Sequence, residues 1–426
     1  MTAIACPELR LDESRARANL QRMRDRAAAA GVRFRPHFKT HQSHAVGRWF
    51  REQGIGAITV SSAAMAHYFA DDGWQDITIA FPYHPGMHAD VEALAARCRV
   101  VGITLADSAA LDGVRFTRPV DAWVKVDVGS ARTGFPADAV DELQALVDAL
   151  SGRGDLRLRG LLAHAGHSYG ARGRTQVAQV HESSLALLRR LRDSLQTGER
   201  TLEISIGDTP TCSTQSEFPG AAEIRPGNFI FYDLTQWQIG ACSLEDIAVA
   251  MACPVVSRHP ARGQLVVHGG AVHFSRDAME FEGERIFGLG VAAEDRGWGE
   301  LLPDVRLVAL SQEHGIVQAP AELIEAVRPG DPLLFLPVHS CLTADAMGAY
   351  RLGTGELVEM KPRLVWPGPS MAMQRNAIGP AAVEVRPRSA RPPAARRHAA
   401  RQPGTRARPC APRLPFPAPG GSVPAP

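Results

Sequence analysis

Residues 12–35 of the chain read DESRARANLQRMRDRAAAAGVRFR, a stretch that predicts a helix followed by a strand. Asp12 is a suitable N-cap, and Gly31 is suited to ending the helix. The apolar positions that share one face of this helix are Leu20, Met23 and Ala27. A β-rich run, Val32–Arg35, follows the glycine directly. The stretch therefore predicts one unit of an alternating helix and strand architecture.

The same alternation continues over about 220 residues, and a second helical stretch runs from Ala137 to Ser151. The candidate strands are Val32–Arg35, Ala57–Val60, Ile77–Ala80, Val101–Leu105, Ala122–Asp127, Leu158–Ala163, Leu202–Ile206 and Glu223–Ile224. This pattern predicts the α/β class, with a parallel sheet closed as a (β/α)8 TIM barrel. An open doubly wound sheet is the alternative, and the number of candidate strands favours closure.

The rhythm changes after about Cys242, where short β-rich runs are joined by Gly/Pro turns. These runs are Pro254–Ser257, Gln264–His268, Val305–Ser311, Ile316–Gln318, Pro332–Pro337 and Glu356–Met360. They predict a C-terminal, mostly β domain over residues 243–368, after a barrel over residues 12–242. The segment 1–11 is too short to fold alone, and we expect it to contribute a strand to the β domain.

The segment 376–426 is rich in Pro, Arg and Ala and carries nine arginines against one acid, Glu384. Such a composition buries too little apolar surface to offset the entropy of ordering, so it predicts a disordered C-terminal tail. A basic arm for nucleic acid and an unselected extension are the two interpretations, and we favour the second. The total charge of +2 leaves −6 for the rest of the chain, which predicts no nucleic-acid partner for the folded part.

The overall composition, 45% hydrophobic and 22% charged, is that of a globular protein with a sizeable core. No apolar run is long enough to span a bilayer, and the first residues lack the pattern of a secretory signal, so no membrane partner is expected. The seven cysteines form no close framework and their number is odd, which favours reduced thiols. The expected location is therefore the cytoplasm.

The segment RPHFKTH at residues 35–41 lies at the C-terminal end of the first candidate strand, where β/α barrels place catalytic groups. We expect Lys39 to be crowded there by Arg35, His37 and His41, which would lower the pKa of its amine. A neutral amine can attack a carbonyl and form a Schiff base. An ordinary solvated lysine in a basic loop is the alternative interpretation.

Four further segments at later strand ends carry polar side chains and glycines. They are VDVGSARTG at residues 126–134, HAGHSY at 164–169, SIGDTPT at 205–211 and RPGN at 225–228. The imidazoles and the phenol of the second segment could flank an aromatic ring. The hydroxyls and glycine amides of the last two are suited to a phosphate, which barrels commonly bind near their last strands. Together the segments predict a phosphate-bearing cofactor beside a lysine.

In the β domain, the segment PVHSCLT at residues 337–343 follows a buried strand. We expect this segment to be extended, so that His339 and Cys341 point to the same face, where both could bind one borderline-soft metal such as zinc. Two protein ligands would leave open positions for catalysis, and a buried structural cysteine is the alternative. Other polar turns, at His273 and at Glu313–His314, are interpreted as turn chemistry.

These segments, with EIRPGNFIFYD at residues 223–233 and SQEHG at 311–315, resemble the fold-type III pyridoxal-phosphate enzymes that have an alanine-racemase-like N-terminal barrel. The resemblance is to the branch that holds D-serine dehydratase and D-threonine aldolase, and it covers about residues 5–365. It implies Lys39 as the Schiff-base and catalytic lysine, with the metal on His339 and Cys341. The residues that it implies around pyridoxal phosphate are Arg132, His164, Tyr169, Ser205, Gly207, Thr209, Gly227, Asn228 and Tyr232.

In that branch the dehydratases tend to carry His-x-Cys and the aldolases His-x-Asp, so Cys341 favours dehydration of a β-hydroxy D-amino acid to a 2-oxo acid and ammonia. Zinc is the expected metal, with Mn or Mg expected for an aldolase. Two positions differ from the usual pattern of the branch. Gln42 stands where a lysine commonly follows the motif, and Asp208 lies in a loop that often has serine or alanine.

Three classes of function are compatible with such a barrel. A lyase needs the metal pair, and retro-aldol cleavage is its second outcome. A non-catalytic pyridoxal-phosphate carrier would need neither the β domain nor the metal. An amino-acid racemase would need a second base, for which the β domain offers no clear tyrosine motif. The resemblance also implies a head-to-tail homodimer, with the β domain of one subunit completing the active site of the other.

Overall fold

The structure is a computed structural model and describes residues 3–195, 201–295 and 297–362. The predicted tail at 376–426 lies outside the described residues. The elements up to residue 242, in chain order, are β1 Glu8–Leu11, α1 Glu13–Ala29, β2 Arg33–Phe34, α2 His44–Glu52, β3 Ile58–Val60, α3 Ala63–Asp71, β4 Asp76–Pro82, α4 His88–Arg97, β5 Val100–Leu105, β6 Val120–Asp127, β7 Phe135–Pro136, α5 Val140–Ser151, β8 Leu156–Leu162, α6 Arg174–Ser194, β9 Glu203–Ile206, α7 Thr209–Thr214, β10 Glu223–Ile224 and α8 Leu234–Ile239.

Eight of these strands form a parallel sheet in the order β2-β10-β9-β8-β6-β5-β4-β3. The sheet closes because the chain after β2 pairs with β3 through a parallel bridge between His37 and Thr59. The Phe38 N–H donates to the Thr59 carbonyl, and the Thr59 N–H donates to that of Pro36, both at 2.9 Å. The predicted (β/α)8 barrel is confirmed, and each predicted strand overlaps an observed one.

The helix that opens the barrel forms for the reasons that the sequence suggests. The Asp12 side chain accepts the N–H of Arg15 and caps α1, and Leu20, Met23 and Ala27 are buried. Gly31 follows with a positive φ of 66°. The helix therefore packs its apolar face inward and delivers the chain directly into β2, which places Lys39 just beyond the C-terminal end of that strand.

The interior of the barrel carries charged side chains that are paired across it. Arg35 donates to Glu223 of β10 at 3.0 Å and to Asp76 of β4 at 2.6 Å. Glu223 also accepts from the hydroxyl of Ser205 at 2.7 Å, and Arg225 donates to the same hydroxyl at 2.6 Å. Buried charges are tolerated when they are paired and hydrogen-bonded in this way. This network forms the floor beneath the open end of the barrel.

The elements after residue 242 are β11 Val249–His259, β12 Gln264–His268, α9 Ala271–Phe274, β13 Met279–Phe281, β14 Glu284–Ile286, β15 Gly288–Glu294, β16 Gly297–Leu310, β17 His314–Gln318, α10 Ala321–Ala326, β18 Pro332–Pro337, α11 Ser340–Met347, β19 Ala349–Leu352 and β20 Leu357–Glu359. They form a mainly antiparallel sheet in the order β12-β17-β16-β15-β18-β11-β1-β19-β20, and β13 pairs with β14.

The N-terminal strand joins this second sheet, as the sequence suggests. Strand β1 runs antiparallel to β11, with Glu8 opposite Ala252 and Leu11 opposite Val249. It also lies parallel to β19. The mostly β character of the region is therefore confirmed, while the predicted domain boundaries stay a prediction. None of the helices in the described ranges is both long and apolar enough to cross a bilayer.

Candidate active site

A cavity of about 810 Å³ lies at the C-terminal end of the barrel strands and is completed by the β domain. Its barrel wall includes His37, Lys39, Lys125, Arg132, His164, Tyr169, Asp208, Arg225, Gly227 and Asn228. Its β-domain wall includes Asp277, Val338, His339 and Cys341. The lysine and the metal pair that the sequence predicts therefore face one cavity within a single chain.

Lys39 lies in the turn after the bridge to β3, and its exposed side chain lines the cavity. The turn is held from both sides. Thr40 is fully buried, with its hydroxyl 3.2 Å from the sulfur of Cys341. The side-chain amide of Gln42 donates to Asp345 of α11 at 2.8 Å. Gln42 therefore links the lysine turn to the helix that carries Cys341.

The predicted crowding of Lys39 by Arg35, His37 and His41 needs correction. Arg35 points to the barrel floor, where Glu223 and Asp76 compensate its charge. His41 is fully buried against Phe50, and burial lowers its pKa to about 3, so it is neutral. His37 lines the cavity, but burial lowers its pKa well below the ordinary value, with a smaller contribution from Lys39.

The cationic neighbours of Lys39 come from other strands. Lys125 of β6 and Arg225, just after β10, are both buried and line the cavity, together with exposed Arg132. Burial, with smaller contributions from Arg132 and Arg225, lowers the pKa of Lys125 to about 8. Burial also lowers the pKa of Arg225, to about 10. The wall therefore offers four cationic side chains, a donor set suited to phosphate and carboxylate groups.

His164, directly after β8, has its ring orientation set by the backbone. Its Nδ1 is hydrogen-bonded to the Gly207 carbonyl, so Nδ1 carries the proton and Nε2 is the acceptor nitrogen. Burial lowers the pKa of His164 to about 3, with a further contribution from Lys39, which keeps the ring neutral. The resulting flat, uncharged ring on the cavity wall is suited to stacking against an aromatic ring.

The predicted phosphate loop, residues 205–211, contributes mainly through its backbone. Gly207 has no room for a side chain, because a Cβ there would lie 2.6 Å from the backbone of Arg225. The carboxylate of Asp208 is engaged by protein donors: it caps α7 by accepting the N–H of Thr211 at 2.9 Å and accepts the hydroxyl of Ser168 at 2.8 Å. Burial raises the pKa of Asp208. The N–H of Thr209 contacts the Tyr169 hydroxyl at 3.4 Å.

The segment after β10 also forms part of the wall. A Cβ at Gly227 would lie 2.9 Å from the carbonyl oxygen of His37, so only glycine fits at this close approach. The side-chain amide of Asn228 donates to Asp233 at 2.6 Å, to Ser340 at 2.9 Å and to the sulfur of Cys341 at 3.5 Å. Asn228 therefore joins the barrel to α11.

Four predicted cofactor residues lie behind the wall or elsewhere. Ser205 is buried in the barrel floor, where it positions Arg225. Gly207 and Thr209 flank Asp208 without lining the cavity. Tyr232 lines a separate cavity of about 240 Å³, and its hydroxyl lies 3.0 Å from that of Ser213. The hydroxyls of Ser205 and Tyr232 both have protein partners, and their place near the cofactor stays a prediction.

The metal pair has a different local structure from the one expected. His339 is the N-cap of α11, and Cys341 lies in its first turn, so the segment is helical and not extended. Nδ1 of His339 lies 2.5 Å from Oδ2 of Asp277, so Nε2 is the ring nitrogen that would bind a metal. Burial raises the pKa of the Cys341 thiol, but the hydrogen bond and the charge of His339, together with Lys39 and Thr40, lower it overall below its ordinary value.

The donor set fits both groups that the sequence implies. For pyridoxal phosphate, the cavity offers a lysine, cationic side chains, a neutral imidazole face and two glycines at close approaches. For a borderline-soft divalent metal, it offers an imidazole nitrogen and a thiol whose sulfur has two hydrogen-bonding neighbours. The pair leaves coordination positions open, as catalytic zinc sites require.

Three residues of this wall, Lys125, Arg225 and Asp277, were not predicted from the sequence. Lys125 could have been found, because a lysine inside an otherwise apolar strand must point into the barrel or be paired. Arg225 lies in the segment RPGN, which the sequence indicated as suited to a phosphate, but no role was assigned to its side chain. Asp277 gave no signal, since its partner His339 is 62 positions away.

The comparisons with known proteins agree with this architecture. The alanine racemase N-terminal domain matches residues 11–234, just over half of the chain, and a serine dehydratase domain matches residues 248–352. The D-threo-3-hydroxyaspartate dehydratase of Delftia sp. strain HT23 is 31% identical over 81% of this chain and 93% of its own length. The D-serine dehydratase of Dictyostelium discoideum is 28% identical over 83% of this chain and 95% of its own length.

The solved structure of the Delftia dehydratase has a TM-score of 0.76 and 28% identity, and the match covers 84% of this chain and 99% of that one. A cysteine-to-alanine variant of the same dehydratase has been solved in a metal-free form. Domain content, sequence and fold thus agree over the described length. The chain belongs to the fold-type III pyridoxal-phosphate family whose members join an alanine racemase N-terminal barrel to a serine dehydratase domain.

Proposed function

We propose that this chain is a pyridoxal-phosphate- and zinc-dependent lyase that dehydrates β-hydroxy D-amino acids to a 2-oxo acid and ammonia. One observation carries the proposal: Lys39 and the pair His339 and Cys341 line the same cavity. The contact of Thr40 with Cys341 keeps the two parts of the site together. A carrier or a racemase has no use for that arrangement.

Lys39 has two tasks in this reaction. Its amine holds the cofactor at rest and, once free, takes the proton from the substrate Cα as a general base. Pyridoxal phosphate, when bound, supplies an electron sink for the charge that develops at Cα. His164 and Arg132 would hold the cofactor ring, while Tyr169, Gly227 and Asn228 would flank its phosphate or ring oxygen.

His339 and Cys341 would hold the metal, with Asp277 keeping the Nδ1 proton of His339 in place. A divalent metal, when bound, supplies an electrophile for the β-hydroxyl and makes it a better leaving group. The paired arrangement of an acceptor carboxylate, an imidazole and a thiol favours zinc over the oxygen-preferring metals.

The thiol at position 341 supports dehydration over retro-aldol cleavage, because aldolases of this branch tend to carry a carboxylate there. The relatives support the same choice, since those of Delftia and Dictyostelium are dehydratases of D-threo-3-hydroxyaspartate and D-serine. The cationic wall suits a substrate with one or two carboxylates. We therefore propose D-serine, D-threonine and 3-hydroxy-D-aspartate as the substrate class.

The proposal extends to the assembly and the location. We propose a homodimer, on the strength of the family resemblance, although one chain already supplies both the lysine and the metal pair. We also propose a cytoplasmic location, which the free thiols of all six cysteines in the described ranges support.

The test is a product assay with purified protein, pyridoxal phosphate and zinc. D-serine, D-threonine and D-threo-3-hydroxyaspartate are supplied separately, and 2-oxo acid, ammonia, glycine and aldehyde are measured with and without chelator. A 2-oxo acid with ammonia, lost on chelation, supports the proposal. Glycine and an aldehyde would make the protein an aldolase, and cofactor binding without any product would favour a carrier. Appearance of the L-enantiomer would indicate a racemase.

A further inference from the structure

A second group of metal-binding side chains lies in the β domain, outside the cavity wall. Nε2 of His268 lies 3.4 Å from Oε2 of Glu313, and Nε2 of His273 lies 3.8 Å from the same oxygen. The ligand atoms of the three residues all lie within 4.8 Å of one another. We propose that His268, His273 and Glu313 form a second divalent-metal site, of zinc type.

The three residues are held by backbone contacts that do not depend on their side chains. His268 ends β12, His273 lies in α9, and Glu313 lies in the turn between β16 and β17. The N–H groups of residues 269, 271 and 272 donate to the carbonyls of residues 313, 311 and 312, at 2.9, 2.8 and 3.2 Å. The two segments are therefore fixed against each other before any metal binds.

The close fit of these segments depends on Gly270. A Cβ at this position would lie 2.3 Å from the carbonyl oxygen of Gln312, so any other residue would push the segments apart. Because the backbone is already fixed, binding an ion costs less conformational entropy. The arrangement thus provides a preorganised site from residues of three different elements.

The ligand atoms of His268, His273 and Glu313 are of the kinds that zinc prefers. Two imidazoles and one carboxylate are a common zinc donor set, and a fourth position would remain for water. The side chains of His268 and Glu313 are 36% and 49% exposed, so an ion can enter from solvent. The Gly270 N–H lies 3.2 Å from Nδ1 of His273, a long contact that the ring gives up when Nε2 takes a metal.

The site would stabilise a segment that matters for the cavity. Helix α9, which carries His273, leads within four residues to Asp277, the partner of His339. The carbonyl of Phe274, in the same helix, accepts the hydroxyl of Thr343 in α11. A metal on His273 would therefore hold the segment that orients a ligand of the first site. The inference about metal binding stands independently of the proposed reaction.

The experiment counts zinc per protomer in the cofactor-loaded protein, by elemental analysis after dialysis against zinc and a weak chelator. The proposal expects two in the wild type, one in His268→Ala/His273→Ala and one in His339→Ala/Cys341→Ala. His259→Ala, a histidine substitution outside both sets, is the matched control and should keep two. One zinc in the wild type that is unaffected by His268→Ala/His273→Ala would overturn the proposal.

Two further readouts guard against misfolding of the double variant. Glu313→Gln, a near-isosteric change, should lose the same ion and keep the circular dichroism of the wild type. Cobalt substitution separates the sites, because only the site with a thiolate ligand gives an intense charge-transfer band. The proposal expects His339→Ala/Cys341→Ala to bind one cobalt without that band. Binding of no cobalt by this variant would contradict the second site and leave the proposed reaction unaffected.

Discussion

The hydroxyl of Thr40 lies 3.2 Å from the sulfur of Cys341, although 301 positions separate the two residues in the chain. Thr40 follows Lys39 directly, so this contact joins the lysine turn of the barrel to the first turn of α11. A hydrogen bond to the sulfur favours its anionic form, which is the form that binds a metal. The contact thus connects the two halves of the proposed site.

Replacing Thr40 with valine should weaken zinc binding at the cavity by about 10-fold, the lower end of what partners of metal ligands contribute. Valine keeps the buried volume of threonine and removes only the hydroxyl. The measurement is a competition titration against a chromophoric chelator. Thr40→Ser keeps the hydroxyl and is the matched control, so equal affinities for Thr40→Val and the wild type would contradict the role of this contact.

Substitution of Asp277 should lower zinc affinity more than substitution of Thr40, because the carboxylate of Asp277 keeps the proton of His339 on Nδ1. Its carboxylate lies 2.5 Å from Nδ1, which leaves Nε2 as the only ligand nitrogen. We expect Asp277→Ala to lower zinc affinity by about 10- to 100-fold. The cofactor absorbance should persist, because the residues around Lys39 are unchanged.

The same chelator competition measures the effect, with Asp25→Ala, an exposed aspartate of α1, as the control. A loss of cofactor together with zinc would indicate that Asp277 supports the fold of the site as a whole. Unchanged zinc affinity would show that the carboxylate has no part in holding the metal.

The barrel could be predicted because its signals are local. Each strand is a short β-rich run bounded by glycines or polar residues, so its local residue pattern is enough to predict it. The β domain was predicted only in part. Strand β15, Gly288–Glu294, is glycine-rich, and the hairpin of β13 and β14 is short and charged, so neither gave a local strand signal.

The surroundings of Lys39 could not be predicted, because they depend on contacts between distant residues. Arg35 lies only four positions before Lys39, but its own partners Asp76 and Glu223 are 41 and 188 positions from it. They draw its side chain into the barrel floor. The position of Lys39 at the end of β2, in contrast, follows from the strand itself and was predicted.

His41 should make folding stability depend on pH. Its ring is fully buried, and burial lowers its pKa to about 3. A histidine whose pKa is depressed by folding takes up its proton mainly in the unfolded state. The contribution of the neutral His41 ring to the free energy of unfolding is therefore complete above the unfolded pKa of about 6.5. It is lost progressively as the pH falls below that value.

We expect His41→Phe to remove this dependence. Relative to the wild type, the variant should gain about 2 kcal/mol of unfolding free energy when the pH falls from 7 to 5. Urea titrations at both pH values measure the unfolding free energies. The contributions of the other histidines cancel in the comparison, because the wild type and the variant share them. His41→Gln should show the same pH difference despite its different packing. Parallel pH profiles for the wild type and both variants would contradict the assignment.

Asp208 differs from the residues that are usual in this loop, and its geometry explains why an acid is tolerated near the predicted phosphate site. The carboxylate caps α7 and accepts the hydroxyls of Ser168 and Thr211, both at 2.8 Å. Substitution by alanine would remove the cap and leave two buried hydroxyls without their acceptor. We expect Asp208→Ala to destabilise the protein by about 2 kcal/mol.

Asp208→Ser separates the cap from the charge, since serine also caps helices and is common at this position in related enzymes. Stability should fall by less than in Asp208→Ala, because the N–H of Thr211 keeps an acceptor. Pyridoxal-phosphate affinity, measured by fluorescence titration of the apoprotein, should stay within about threefold of the wild type, since the carboxylate faces α7 and Ser168. Binding strengthened tenfold or more by removal of the charge would show that the carboxylate instead faces the phosphate and opposes it.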